Sequence, residues 1–309
     1  MLPETDQLAD SRSGDAVALA FDALHLALGG QHLREAIIER QTLHLPGVAC
    51  GHQDGFPVLA DIEQALEQGA ILPDDLRVTS GRNTLDLKTF RYVNRGKIEP
   101  QMLANAALMG SSIAINRLER RMPKAHRMAR LIEEWLGDAI EFVLIASFGL
   151  EGAFPPHHDE EHVVIVQLDG VKHWTFHGDP VAPGAPMAMK DEPGPTRHLT
   201  MNSGDVLYLP PGQRHICASD GFSLHLSIMI KAPTGIVLQE RLKKTFRDSI
   251  LLQEPVPAML GPENDRRMRE EFRRHLHELV DQLRIEQIFA QERRHLRIRP
   301  RVKLQPRVR

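Results

Sequence analysis

Between Ile140 and Ile230 the chain is a succession of short β-branched and apolar runs: EFVLIASFG, HVVIVQLDG, KHWTFHG, GDVLYLPPG and FSLHLSIMI. Glycine and proline turns separate them, and no stretch between them reads as a crossover helix. Parallel neighbours need a connection of about a dozen residues or more, usually helical, so this segment is restricted to antiparallel pairing. Its spacing and its Gly/Pro breaks fit a jelly roll or small barrel. Both flanks have helical texture, and the fold class read from the sequence is α+β.

Three parts follow. Residues 1–137 read as a helix-rich part packing on the barrel. DIEQALEQG, EPQMLANAALMG and HRMARLIEEWLG are its clearest helices, QTLHLPG reads as a strand, and Gly137 is the expected C-cap of the last helix. Residues 138–233 are the β core. Residues 234–309 are helical again: Met268, Phe272, Leu276, Leu279, Val280 and Leu283 recur at three- and four-residue intervals on one long helix that needs a partner. The chain ends in the basic run HLRIRPRVKLQPRVR, expected to be extended. A formal net charge of -3 argues against general polyanion binding, so any nucleic-acid contact is confined to that tail. Cys50 and Cys217 form no Cys-x-x-Cys pair, which excludes a disulfide framework or a thiolate zinc site and points to a reducing compartment. MLPETDQLADSRSG has neither a basic start nor an apolar core, and AVALAFDALHLALGG is short and interrupted by Asp22. The expectation is a cytoplasmic protein with no membrane span.

FPPHHDEEHVVIVQLDGVKHW carries the chemistry. In an extended strand residues two apart share a face, so His157 and Asp159 can hold one ion while His158 points to the other side. SGDVLYLPPGQRHICAS supplies a third donor, His215, after a tight proline turn. Two imidazoles and one carboxylate on one side of a metal form the facial triad of non-haem iron(II) oxygenases. Three protein ligands leave half an octahedron open, room for a bidentate 2-oxoacid and one O2, whereas a structural zinc site would be closed. Lys172 is the basic residue best placed to meet the distal carboxylate of such a cosubstrate, with Trp174 on the same face if the strand is regular.

The run from His157 to Trp174, with Gln167, Leu168, Gly170 and Lys172 in their places, resembles the JmjC-domain ribosomal oxygenases and related bacterial cupin-like hydroxylases. GDVLYLPPG with His215, then SLHLS, is similar to their later strands, and ERQTLHLPG to their N-terminal region. The resemblance implies a double-stranded β-helix, iron(II) held by His157, Asp159 and His215, and 2-oxoglutarate and O2 as cosubstrates. It further implies that Lys172 binds the distal carboxylate, that Ser147 and His225 contribute to cosubstrate binding, and that the C-terminal helices form a homodimer. There are departures. His162 stands where the family often has an acidic residue, and a short basic tail replaces the family's winged helix.

Blander readings stand beside these. Lys172 reads alternatively as an exposed strand lysine, His225 as a packed core histidine, Ser147 as structural and Trp174 as core; His158 and His162 read by default as exposed. The favoured function is hydroxylation of a side chain in a protein or peptide, including a ribosomal one, by family analogy. A free amino acid or peptide natural product is the second substrate class, and a non-catalytic metal-binding cupin scaffold is the reading from another class.

Overall fold

The structure, a computed structural model, describes residues 22–52, 55–88, 92–186, 195–255 and 261–297. Residues 1–21 and the end of the basic tail, from residue 298, lie outside these residues. The described residues up to Lys231 form one unit and Ala232–Arg297 another. In chain order the first unit contains α1 (Gly30–Glu39), β1 (Leu43–Leu45), α2 (Leu59–Glu67), β2 (Leu76–Ser80), β3 (Asn83–Thr84), β4 (Val93–Asn94), β5 (Lys97–Ile98), α3 (Pro100–Leu108), β6 (Ser112–Asn116), α4 (Pro123–Leu136), β7 (Ala139–Ser147), β8 (His162–His177), β9 (Thr196–Met201), β10 (Val206–Leu209) and β11 (Arg214–Lys231). The sheet order is β1-β10-β8-β11-β7-β6-β2-β3, with β9 also paired to β8 and every pairing antiparallel.

The β8–β11 ribbon is the frame of a double-stranded β-helix. The first half of β8 lies between β10 and β11, and its second half between β9 and β11. The sequence reading treats each of these strands as two runs, split at Gly170 and before Phe222. In the structure each is continuous, because pairing carries on through an irregular bend where the register jumps between Ser219 and Ser223. Gly170 sits at that bend with φ +67, and a Cβ there would meet the carbonyl oxygen of Phe222 at 2.1 Å. A left-handed conformation costs an L-residue roughly 1–2 kcal/mol before any clash is counted, so Gly170→Ala is expected to lower stability by at least about 2 kcal/mol. The urea midpoint should fall with an unchanged slope; an unmoved midpoint would show that the bend tolerates a side chain.

The alternation along the central strands explains why they read as unbroken apolar runs: both faces are covered. Phe142, Leu144, Val164, Val166, Leu226 and Ile228 pack on the main core with the helices, whereas Val163 and Ile165 and, in a separate cluster, Val143 and Ile145 face the barrel interior. Helix α4 presents Met128, Ala129 and Ile132 to the main core and ends at Gly137, φ +88, whose N–H donates to Glu133 O. Two buried carboxylates pin β7 beside it. Glu133 accepts the Ile140 N–H and Glu119 accepts the Phe142 N–H; burial raises the Glu119 pKa.

The region read as helix-rich also supplies strands. β2, β3 and β6 extend the main sheet beyond β7, and their entry is held by the fully buried Asp75, which accepts from Arg117 at 2.5 Å and from Arg121.

The second unit contains α5 (Ile236–Arg247), α6 (Ile250–Gln253), α7 (Gly261–Asp281) and α8 (Ile285–Leu296). The single long helix read from the periodicity is thus two helices. On α7, Met268, Phe272 and Leu276 are half-buried, Leu279 is buried and Val280 is exposed. Among the described residues no helix is long and apolar enough to cross a membrane.

Candidate metal centre

His215 enters the site on β11, and His157 reaches it from the loop before β8. A two-way backbone bridge joins them: His157 N–H donates to His215 O at 3.1 Å, and His215 N–H to His157 O at 2.8 Å. Asp159 is fixed through its carbonyl, which accepts the Gly212 N–H at 2.8 Å. Gly212 has φ +83, and a Cβ there would meet Val181 O at 2.3 Å, so the Pro-Pro-Gly turn admits no side chain at that point.

Ligand-capable atoms of His157, Asp159 and His215 all lie within 4.8 Å of one another. The Asp159 carboxylate is 4.0 Å from His157 Nε2 and 3.9 Å from His215 Nε2. Each imidazole uses its other nitrogen in the same way. His157 Nδ1–H donates to Pro155 O at 2.8 Å and His215 Nδ1–H to Gln213 O at 2.9 Å, in both cases the carbonyl two residues back. Those bonds select the tautomer that leaves Nε2 as a lone pair facing Asp159, the form a divalent ion requires. Burial, and then the neighbouring His157, holds the His215 pKa down to about 4, so it is neutral and ready to coordinate at neutral pH.

The three groups open onto a cavity of about 470 Å³. Val143, Ile145, Val163, Ile165 and Met229 give it apolar walls; Arg77, Thr84, Asn116, His225 and Ser227 are polar groups on its lining. Trp174 also lines it, its ring 5.5 Å from that of His215 and 6.0 Å from that of His225.

Lys172 is fully buried, two residues before Trp174 on β8, and its Nζ donates to Ser147 Oγ at 2.8 Å. Ser147 is fully buried too and also accepts from Ser112 Oγ at 3.0 Å. Among the described residues no carboxylate lies within ion-pair distance of Lys172, and burial lowers its pKa. His225 lies between the two regions electrostatically: burial first, then Lys172 and His215, push its pKa well down, and its Nδ1 has no partner among the described residues. Lys172 and Ser147 are therefore buried together, and His225 lines the cavity.

Histidines 158 and 162 are placed elsewhere. His158 is 2% exposed, buried instead of on the surface. His162 Nδ1 bonds Tyr208 OH at 2.7 Å and is not on the cavity lining, and burial lowers its pKa. Arg77, Asn116, Phe154, Ser227 and Met229 were not singled out by the sequence reading. For Ser227 and Met229 a signal existed: the alternation of SLHLSIMI puts them on the face of His225.

Because burial depresses the pKa of His215, His225 and His162, the unfolded chain binds more protons than the folded one below about pH 6.5. The stability these imidazoles contribute to the metal-free protein therefore rises with pH from about 5 to 6.5, on the order of 2 kcal/mol for His215 by itself, with buried Glu119 acting in the opposite sense. Urea midpoints measured across that window check this; a flat profile would mean that these imidazoles are solvated.

A family profile described as "JmjC domain" matches residues 119–238. Ribosomal oxygenase 2 of Mus musculus is 30% identical over 125 residues, 38% of this chain and 27% of that protein. The chain thus matches about a quarter of the curated relative's length. Among solved structures, Escherichia coli YcfD superposes with a TM-score of 0.52 at 16% identity, covering 81% of this chain and 68% of that one. A second YcfD structure, described as a ribosomal oxygenase in complex with cobalt and 2-oxoglutarate, gives a TM-score of 0.50 at 17% identity over 80% of this chain and 66% of that one. Likeness at these identities establishes the fold. Residues 119–238 are thus similar to a JmjC domain, the fold is that of a double-stranded β-helix, and the chain resembles the ribosomal oxygenases.

Proposed function

We propose that this chain is an iron(II)- and 2-oxoglutarate-dependent oxygenase that hydroxylates a side chain in a protein or peptide. One observation carries the reading. Three ligand-capable groups converge from one side on the mouth of an apolar cavity, while a fully buried lysine without a carboxylate partner among the described residues lies deeper in the same barrel. A closed structural site explains neither the open half nor the buried ammonium, which is costly until an anion meets it. Support also comes from the fold neighbour described with cobalt and 2-oxoglutarate and from relatives named ribosomal oxygenases and histidyl-hydroxylases.

The donor set fits the group. His157, Asp159 and His215 would hold iron(II) through two neutral Nε2 atoms and one carboxylate. Lys172, positioned by Ser147, would pair with the distal carboxylate of 2-oxoglutarate, with His225 beside them. Bound together with O2, iron and cosubstrate supply the oxidising chemistry that places a hydroxyl on an unactivated carbon, with succinate and CO2 as coproducts. The protein's part is to fix those groups and to keep water out, and the walls of Val143, Ile145, Val163, Ile165 and Met229 do so. A ribosomal protein is the favoured substrate by analogy. We further place the protein in the cytoplasm and expect a homodimer through the incompletely covered stripe of α7.

Anaerobic addition of 2-oxoglutarate to the iron-loaded protein is expected to raise the weak visible absorption of the chelate. Oxygen should then convert the cosubstrate to succinate and add 16 mass units to an accepted peptide. Iron-loaded protein that gave no such absorption would favour the alternative of a metal-binding scaffold without catalysis.

A further inference from the structure

The cavity wall carries a second pattern beyond the metal and the cosubstrate lysine. Cross-strand register puts Asn116, Val143, Ser227 and Ile165 in one row across β6, β7, β11 and β8. Asn116 and Ser227 thus flank Val143, their Cα atoms two strand spacings, roughly 10 Å, apart. The neighbouring row is Arg77, Ala114, Ile145 and His225. The Arg77 guanidinium lies over the Phe154 ring, 5.3 Å from its centroid. Among the described residues no carboxylate pairs with it. Arg77 and Thr84 also line an adjoining cavity of about 560 Å³, so Arg77 stands where the two meet.

Charge decides what this lining accepts. Among the described residues its single carboxylate is Asp159, which faces the two imidazoles. Arg77 is a cation on the lining itself, and Lys172 is another deeper in the barrel. A guanidinium or ammonium brought in by a substrate would leave water with only Asp159, already turned to the two imidazoles, to meet it on this lining, Asp74 and Asp86 belonging to that of the adjoining cavity, and rejection by such an unpaired charge is an effective form of specificity. A carboxyl or carboxamide group meets the opposite situation: an amide and a hydroxyl on either side of Val143, and an arginine fork at the rim that suits a planar acceptor.

We infer that Arg77, Asn116 and Ser227 are the specificity-determining residues of this site and select a target side chain ending in a carboxyl or carboxamide, against a cationic one. This rests on the proposed function and narrows its substrate class. The test uses protein loaded with manganese(II) and 2-oxoglutarate and a peptide series differing at one central residue, read by fluorescence anisotropy. Peptides centred on Asp, Asn, Glu or Gln are expected to bind at least about 10-fold more tightly than those centred on Arg or Lys. Arg77→Met should reduce that preference while leaving the dissociation constant of 2-oxoglutarate unchanged. Val143→Asp, which supplies the absent carboxylate between Asn116 and Ser227, should turn the preference toward the Arg-centred peptide. Preferential binding of Arg- or Lys-centred peptides by the unaltered protein, or equal binding of the two sets, absence of binding included, overturns the inference. Neither result touches the chelate absorption of the iron-loaded protein; loss of that signal would remove the underlying function as well.

Discussion

Asp159→Ala protein is expected to bind iron(II) more than about 100-fold more weakly than the unaltered chain, since loss of an outer-shell partner alone commonly costs about 10–100-fold. The chelate absorption should vanish, and succinate release should fall to the level seen without protein. The fold should survive. The Asp159 side chain is half-buried at the cavity mouth, and it is the backbone carbonyl, retained in the variant, that accepts the Gly212 N–H. Removing the carboxylate also takes away the one negative charge on the cavity lining among the described residues, so two neutral imidazoles are the donors that remain. His173→Ala is the control: its imidazole pairs with Asp220 at 2.9 Å on the exposed side of β8, and both readouts should be unaffected. Iron affinity retained in the Asp159 variant would mean that the three groups do not share an ion.

Lys172→Met should separate function from stability. The methionine keeps the apolar stem and removes the ammonium. Truncating one partner of a buried charge pair costs about 2–5 kcal/mol, so the dissociation constant of 2-oxoglutarate is expected to rise at least about 30-fold. In the absence of cosubstrate the sign reverses. Lys172 is fully buried with, among the described residues, only the Ser147 hydroxyl bonded to its Nζ, and burial already drives its pKa down, the mark of a charge that the fold holds at a cost. Replacing such a group by an apolar one of similar volume is often neutral or stabilising, so the urea midpoint of the free protein should hold or increase. Unchanged 2-oxoglutarate binding would sink the cosubstrate role. A large loss of stability would instead make Lys172 structural, a hydrogen-bonding prop for Ser147 and Ser112.

The β core was legible because two local rules act there together. The absence of crossover helices forces antiparallel pairing, and period-two alternation assigns faces without knowledge of the partner strand. His-x-Asp is likewise a local pattern, and the residues whose carbonyls anchor the two imidazoles, Pro155 and Gln213, lie two positions before them in the same short segments. Where the reading differed, long-range pairing was the cause. Gly170 and the turn at Phe222 look like strand ends, yet the φ of +67 at Gly170 lets the ribbon bend without breaking. The segment before α4 looked helical because LRVTS and SIAIN are only five residues each, too short to outweigh the helices around them.

The sequence by itself determined the antiparallel core and the nearness of His157 to Asp159, two residues apart. These depend on neighbours a few residues apart, although His157 and Asp159 lie in the loop before β8 and are held there by the bridge to His215 and the bond from Gly212. Only the tertiary structure decided what surrounds them. Arg77 and Asn116 reach the cavity because β2 and β6 dock beyond β7, a pairing selected by burial of both sheet faces between residues far apart in the chain. Tertiary structure also left Lys172 without a carboxylate among the described residues, since a charge balance is a property of the enclosed volume and not of any segment that lines it.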